Sequence, residues 1–155
     1  MGKIFSEVKR AYLAGLIDGD GAIMASIEHH NGKRFKIRVR VSVKVTSSSK
    51  EDVVWLKKIT NVGYTRTNRR TYEWIVRDQS DAQYILLSIV PYVRTKRKQT
   101  ELALKILQGS FDEKCKDSLY KKACLADTLS SFNIRSKNRR KNYAIMVQEN
   151  ISRND

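Results

Sequence analysis

The sequence lacks any apolar run that could cross a membrane. Its longest apolar stretch, residues 84–93, is interrupted by Ser88 and Pro91 and falls short of the roughly 18 residues that a spanning helix needs. The N-terminal residues also show no secretory signal pattern. We therefore expect an intracellular protein with no membrane partner, located in the cytoplasm of a prokaryote or in an organelle such as a mitochondrion or chloroplast.

Cysteine, histidine and proline are also scarce. Cys115 and Cys124 form no CxxC pair, and His29 and His30 stand side by side without further metal-ligand spacing. We therefore expect reduced thiols and no zinc site. The single proline and the absence of low-complexity stretches leave no candidate linker, so residues 1–155 are predicted to form one domain.

Acidic residues are few relative to basic ones. The chain has 31 lysines and arginines against 16 acidic residues, which gives a net charge of +15 and an isoelectric point near 10.0. Such an excess on one small domain points to a polyanionic partner. Charge alone leaves DNA, RNA and anionic membranes open as that partner.

The pattern of apolar residues predicts two pairs of strands among helices. Residues 22–30 and 37–45 alternate apolar and polar side chains around Asn31-Gly32, a strong hairpin signal. Residues 64–68 and 71–77 predict two more strands. We expect an α+β fold in which four antiparallel strands bury one face under helices and expose the other.

Side-chain directions and helix starts follow from the same patterns. In the last predicted strand Tyr72, Trp74 and Val76 suit the core, so that Glu73, Ile75 and Arg77 face outwards. Capping boxes beginning at Ser48 and at Ser80 predict the starts of two helices.

The strongest motif occupies residues 13–21, which read Leu-Ala-Gly-Leu-Ile-Asp-Gly-Asp-Gly. Ser6 can cap the start of a helix that contains the motif. Small residues recur every four positions on one stripe of that helix and would let a second helix backbone approach closely. The stripe consists of Ala11, Gly15 and Gly19.

Two carboxylates stand where this helix is predicted to stop. Asp18 and Asp20 alternate with Gly19 and Gly21, and glycine commonly ends a helix. A carboxylate at a helix C-terminus faces the negative end of the helix dipole. A divalent cation would compensate for this unfavourable charge.

The nonapeptide differs at one position, Gly19 in place of alanine, from the motif of the LAGLIDADG homing endonucleases, and the chain resembles that family. The predicted αββαββα order of residues 6–108 also resembles the family fold, with residues 109–155 adding helices and a basic segment. Family members with a single motif act as homodimers. The resemblance therefore implies a homodimer that packs through Ala11, Gly15 and Gly19.

The resemblance also implies a metal site. In the family, the last acidic residue of the motif binds the catalytic divalent cation. That position is Asp20, with the backbone carbonyl of Gly19 as a second ligand, whereas Asp18 is expected to have a structural role. Oxygen ligands of this kind suit Mg²⁺. We expect that Mn²⁺ can replace it.

Two further catalytic residues follow from the family pattern. Single-motif members carry a basic residue shortly after a proline-aromatic pair. In this chain that residue is Lys96, with Lys98 as the nearby alternative. Where the family often has a glutamine, this chain has Ser47, which we expect to orient water by hydrogen bonding.

The resemblance finally implies that the exposed face of the sheet reads DNA in the major groove. Arginine can pair with guanine, asparagine with adenine and glutamate with cytosine, and a β-ribbon fits this groove. A basic run, residues 135–141, is expected to grip phosphates. The predicted DNA contacts are Ser26, Glu28, His30, Arg38, Arg40, Ser42, Lys44, Arg66, Asn68, Glu73, Arg77, Lys98, Lys137, Arg139 and Arg140.

The resemblance, taken with the basic charge, implies a homodimeric, Mg²⁺-dependent endonuclease that initiates intron or intein homing. It would make a staggered double-strand break in double-stranded DNA at a long, near-palindromic site. Two alternatives remain. One is a maturase that binds intron RNA and assists splicing, and the other is a non-catalytic DNA-binding regulator on the same fold.

Overall fold

The computed structural model describes residues 5–133 and 143–154. Within these ranges no helix combines the length and the apolar character needed to span a bilayer. The elements, in chain order, are α1 (Glu7–Asp20), β1 (Gly21–His29), β2 (Ile37–Ser47), α2 (Lys50–Thr60), β3 (Tyr64–Asn68), β4 (Thr71–Val76), α3 (Gln79–Ile89), α4 (Arg97–Gln108), α5 (Lys116–Ser131) and α6 (Tyr143–Arg153).

The four strands form one antiparallel sheet in the order β1-β2-β4-β3. The predicted α+β class and αββαββα order are confirmed. β1 and β2 pair from Gly21↔Val45 to His29↔Ile37, so the predicted hairpin is present. Its connection is longer than a two-residue turn, because residues 30–36 all lie between the strands.

Strict alternation places one face of the sheet against the helices. Every second residue of β1 and β2 is buried, as a period of two requires for a half-buried strand. α1 packs Leu13, Ala14 and Ile17 into the same core, and Trp74 lies fully buried with its indole N–H donating to the Val62 carbonyl. Residues of α5 and α6 join this core, so the C-terminal helices pack on the αββαββα unit.

The outer face of β4 differs from the sequence prediction. Glu73 and Ile75 lie on the face opposite Trp74, as predicted, but neither is exposed: their relative accessibilities are 1% and 5%. Side chains from the neighbouring strands explain the burial of Glu73. Glu73 lies between Thr46 of β2 and Arg66 of β3, and longer side chains from those strands cover it.

Both predicted capping boxes are wrong in detail. The N-cap of α2 is Ser49, which makes no side-chain capping bond, and the amide of Ser49 instead donates to the hydroxyl of Ser47. α3 is capped by Asp78, whose carboxylate accepts from the amide of Asp81. Asp is as good an N-cap as Ser, and here it precedes the predicted residue by two positions.

Gln79 completes the sheet where β4 ends. β4 pairs with β2 from Val43 to Ser47, and the outer half of β2 extends past the end of β4. There the Gln79 side-chain oxygen accepts from the Val41 amide at 3.0 Å, and its nitrogen donates to the Val41 carbonyl at 2.9 Å. One side-chain amide thus takes the place of a strand residue.

Candidate metal site and nucleic-acid interface

The motif helix runs directly into the sheet. Ser6 caps the start of α1 through the Lys9 amide, and the helix ends at Asp20, immediately before β1. A Cβ on Gly21 would lie 2.6 Å from Cα of Ile17, which no side chain tolerates. Glycine at this position therefore permits the abrupt change from helix to strand that places Asp20 at the end of the sheet.

Asp18 fixes the connection between α3 and α4 against the end of α1. Its carboxylate accepts from the backbone amides of Arg94 at 2.8 Å and Lys96 at 2.9 Å. Nζ of Lys96 donates to the backbone carbonyl of Asp18 at 2.6 Å, and Lys96 is only 7% exposed. The structure therefore brings Lys96 to the last turn of the motif helix. Lys98 is exposed and lies over the ring of Phe132 at 5.3 Å.

The Asp20 carboxylate is exposed and forms no hydrogen bond or ion pair with any described residue. Gly19 is exposed beside it, in the last helical turn, where carbonyl groups lack intrahelical partners. A carboxylate and a free carbonyl are oxygen donors of the kind that hard divalent cations prefer. Within residues 5–133 and 143–154 no group of three acidic, histidine or cysteine side chains could hold a metal alone.

The Ser47 hydroxyl is engaged in starting α2. It donates to the Asp52 carboxylate at 2.8 Å and accepts from the Ser49 amide at 3.0 Å. Ser47 does lie at the same end of the sheet as the motif, because Val45 pairs with Gly21. Its only O–H donor is nevertheless directed to Asp52, which leaves it an acceptor role toward water.

The small-residue stripe of α1 is open. Ala11, Gly15 and Gly19 are exposed, and a Cβ added at Gly15 or Gly19 would meet nothing within 4 Å. Large apolar side chains surround this stripe. Val8 is 78% and Tyr12 56% exposed, and the Tyr12 ring packs edge-to-face on Trp55 of α2 at 5.3 Å between centroids. Apolar surface of this kind commonly marks an interface.

Three arginines surround one carboxylate on the outer half of the exposed sheet face. Glu28 of β1 accepts from Arg38 at 3.1 Å, lies 3.5 Å from Arg40 and also pairs with Arg77. Burial raises the pKa of Glu28, but Arg40, Arg77 and Arg38 outweigh it and leave the pKa below its usual value. This Glu28 cluster carries a net charge of +2.

A second cluster surrounds Glu73 nearer to the motif. Lys44 and Asn68 donate to one carboxyl oxygen at 3.0 and 3.2 Å, and Arg66 donates to the other at 2.6 Å. Burial alone would raise the pKa of Glu73, but the hydrogen bonds from these three side chains lower it to about 2. Both oxygens of Glu73 already have partners and almost no surface remains, which argues against the predicted direct contact between Glu73 and DNA.

The other predicted contacts divide into three groups. Ser26 and Ser42 line a depression of about 290 Å³ between the two clusters. His30 lies beyond the end of β1, in the connection, and therefore does not share the strand face as predicted. Lys137, Arg139 and Arg140 lie outside the described residues.

Sequence reasoning gave no role to the apolar residues that line this depression. Met24, Tyr64 and Ile75 line it together with the serines. Ile75 was predicted to face outwards, but no function was assigned to it. The available signal was an apolar residue at an outward position of a strand whose other outward residues are charged. Apolar side chains at such a position can contact the methyl group of thymine.

Comparison with known proteins identifies the family. A family model described as LAGLIDADG endonuclease matches residues 13–102. The chain is 32% identical over 101 residues to DNA endonuclease I-CreI of Chlamydomonas reinhardtii, a match that covers 63% of this chain and 61% of I-CreI. It is 34% identical over 124 residues to DNA endonuclease I-CvuI of Chlorella vulgaris, which covers 78% of this chain and 77% of I-CvuI.

The fold agrees with these sequence matches. The structure superposes with a TM-score of 0.86 on a crystal structure of I-CvuI in complex with the I-CreI target DNA in the presence of magnesium. The two chains share 29% sequence identity, and the superposition covers 96% of this chain and 95% of that one. The family model covers more than half of the sequence and includes the motif, β1 to β4 and Lys96. The chain belongs to the LAGLIDADG endonuclease family.

Proposed function

We propose that two copies of this chain form a site-specific homing endonuclease that makes a staggered double-strand break in DNA. One observation carries the proposal. The exposed Asp20 carboxylate lies without a partner among the described residues, at the end of an open small-residue stripe and beside a lysine that is held in place. This arrangement provides a cation ligand, an association surface and a positive charge in one place.

The homodimer follows from the stripe and from the number of ligands. If α1 packs on its own copy through Gly15 and Gly19, a two-fold axis runs along this contact, and the two Asp20 residues lie near it. Each chain then contributes one carboxylate. Mg²⁺ prefers six oxygen ligands and usually keeps several waters, so a pair of carboxylates, the Gly19 carbonyl and DNA phosphates suit it.

The residues of the chain supply position and charge for phosphodiester hydrolysis. When bound, a divalent cation supplies Lewis acidity and lowers the pKa of bound water. Lys96 contributes a fixed ammonium group, because Nζ is anchored on the Asp18 carbonyl and the backbone is anchored on the Asp18 carboxylate. A buried, preorganised cation stabilises the negative charge that develops on a phosphate more than a mobile surface lysine does.

Binding to DNA is assigned to the outer face of the sheet. The two acid-centred clusters and the depression between them provide arginine, lysine, asparagine, serine and apolar groups along one surface. I-CvuI, which this chain resembles, has been crystallised with DNA. We infer that this chain also binds double-stranded DNA, inside a prokaryotic cell or an organelle.

Cleavage of a randomised duplex library, followed by sequencing of the cut ends, tests the proposal. We expect a single family of long, near-palindromic sites, cut only when Mg²⁺ or Mn²⁺ is added. Asp20→Asn should abolish cleavage and keep site binding, because the cation needs a charged carboxylate. Asp117→Asn is the matched control, since Asp117 is an exposed aspartate far from the motif in sequence, on α5.

Three other outcomes would contradict part of the proposal or favour one of the two alternative functions. An Asp20→Asn variant with normal turnover would show that Asp20 is not a metal ligand. Specific DNA binding by the wild type without any cleavage would favour the non-catalytic regulator. Binding of structured intron RNA without DNA cleavage would favour the maturase.

A further inference from the structure

Glu73 stands out among the acidic residues of the exposed sheet face because it is buried. It is 1% exposed, whereas the side chains that contact it are partly open to solvent: 28% for Lys44 and 53% for Arg66. Burial of an ionised carboxylate is costly unless hydrogen bonds satisfy it. Here three donors satisfy both oxygens, so the carboxylate is stable only as the centre of this cluster.

The three donors come from both strands that flank β4. Lys44 belongs to β2, while Arg66 and Asn68 belong to β3. Arg66 lies directly opposite Glu73 in the register, and Asn68 and Lys44 lie diagonally on either side. One carboxylate on the central strand therefore ties together side chains from three strands.

Donor and acceptor groups of the kind that pair with base edges remain uncommitted in this cluster. Arg66 uses Nε for Glu73, and its two Nη groups make no hydrogen bond to any described residue. Guanine O6 and N7 accept two such N–H groups. Asn68 uses one N–H of its amide, which leaves its oxygen and its second N–H for N6 and N7 of adenine. Lys44 keeps two of its three N–H donors.

We propose that Glu73 is a positioning residue for sequence recognition: its carboxylate holds Arg66, Asn68 and Lys44 in the arrangement that reads bases, without itself contacting DNA. The proposal rests on the proposed DNA-binding function. Its physical basis is preorganisation. Long side chains lose rotamer freedom when they bind, and a protein that has already fixed them loses less on binding.

The experiment is a binding and cleavage profile of Glu73→Gln against every single-base variant of the target. The target is first obtained from the library cleaved by the wild type. Glutamine preserves the size of the side chain but loses the charge, and one of its two acceptor positions becomes a donor. We expect discrimination to fall by about 5- to 150-fold at the base pairs read by the cluster, the range expected for loss of one good base contact, with unchanged discrimination elsewhere.

Two matched variants remove the same charge. Glu101→Gln changes an exposed residue of α4 and should leave the whole profile unchanged. Glu28→Gln changes the other cluster and should relax a different set of base pairs, those read by Arg38, Arg40 and Arg77. A Glu73→Gln profile identical to that of Glu101→Gln would overturn the inference, because it would show that only charge is altered.

A double-mutant comparison separates positioning from a loss of stability. Arg66→Ala should relax preference at one base pair of the set affected by Glu73→Gln, and the double variant should lose nothing further at that base pair. Additive losses there would contradict the inference. Circular dichroism checks that each variant is folded. If Glu73→Gln does not fold, Glu73→Asp replaces it with the same expectation, because shortening the side chain by one methylene moves the carboxylate away from the positions in which the three donors now meet it.

Failure of the proposed DNA-binding function can be distinguished from failure of the inference about Glu73. A wild type with no site preference would overturn it, and this inference with it. A wild type with a clear preference, combined with an unaltered Glu73→Gln profile, would overturn the inference alone.

Discussion

Lys96 donates two hydrogen bonds to Asp18, one from its backbone amide and one from its side-chain ammonium group. The Lys96 amide donates to the Asp18 carboxylate at 2.9 Å, and Nζ of Lys96 donates to the Asp18 carbonyl at 2.6 Å. The two residues are 78 positions apart in the chain. The lysine is therefore held in a fixed position relative to the end of the motif helix, where Asp20 lies.

Asp18→Asn should destabilise the fold and impair cleavage together. The asparagine keeps one acceptor oxygen but directs an N–H toward a backbone amide, so one charge-assisted hydrogen bond is lost. We expect the free energy of unfolding to fall by about 1–3 kcal/mol, measured by urea denaturation. Asp117→Asn is the control on an exposed aspartate. Equal unfolding free energies for Asp18→Asn and the wild type would show that the Asp18 bonds do not hold the connection before α4.

Lys96→Met tests the role of the buried ammonium group. Methionine fills a similar apolar volume but removes the charge, and we expect single-turnover cleavage to slow by about 10²-fold or more, the size of effect seen when one electrostatic donor is removed from an active site. Site binding should change little. Lys98→Met is the matched control, because Lys98 lies exposed over Phe132. If Lys98→Met is the slower variant, Lys98 is the active-site lysine.

Gly15→Leu should produce a folded monomer. A Cβ at Gly15 meets nothing within 4 Å in one chain, so the fold has room for a larger side chain there. Loss of association must then come from contacts with a second copy. Sedimentation velocity should show a wild-type dimer and a monomeric variant with the same circular dichroism spectrum. A wild type that sediments as a monomer and still cuts both strands would contradict the proposed assembly.

The Glu73 cluster should make stability depend on pH in acid. The pKa of Glu73 is lowered from 4.5 to about 2 in the folded protein, so its contribution to stability is fully present above pH 4.5 and is lost as the pH falls towards 2. Between these values the wild type should lose more unfolding free energy than Glu73→Gln, which cannot titrate. Urea denaturation at several pH values measures the difference. Parallel curves for the two proteins would mean that Glu73 is not held ionised by its partners.

The backbone plan was predictable because it depends on local periodicity. Alternation of period two in residues 37–45 and a nine-residue motif of high specificity are both visible in the sequence. The motif also led to the expectation that Asp18 has a structural role, and the hydrogen bonds of Asp18 to the Arg94 and Lys96 amides support it. These features could be predicted because each is determined by residues close together in the chain.

The features that were missed depend on register or on residues distant in sequence. Burial of Glu73 requires β2, β4 and β3 to align so that Lys44 and Arg66 meet above it, which no single strand reveals. The engagement of Ser47 by Asp52 depends on how the chain turns into α2. Alternation likewise placed His30 on a strand that had already ended at His29.

The pairing of Gln79 with Val41 has a consequence for the solubility of the protein. An open strand edge presents unpaired N–H and C=O groups that can recruit a strand of another molecule, and proteins commonly block such edges to avoid aggregation. The Gln79 amide occupies both groups of Val41 where β4 no longer shields β2. Gln79, at the start of α3, thus blocks the part of the β2 edge that β4 leaves open. This should disfavour fibre-like association through β2, whose buried face is rich in valine and isoleucine.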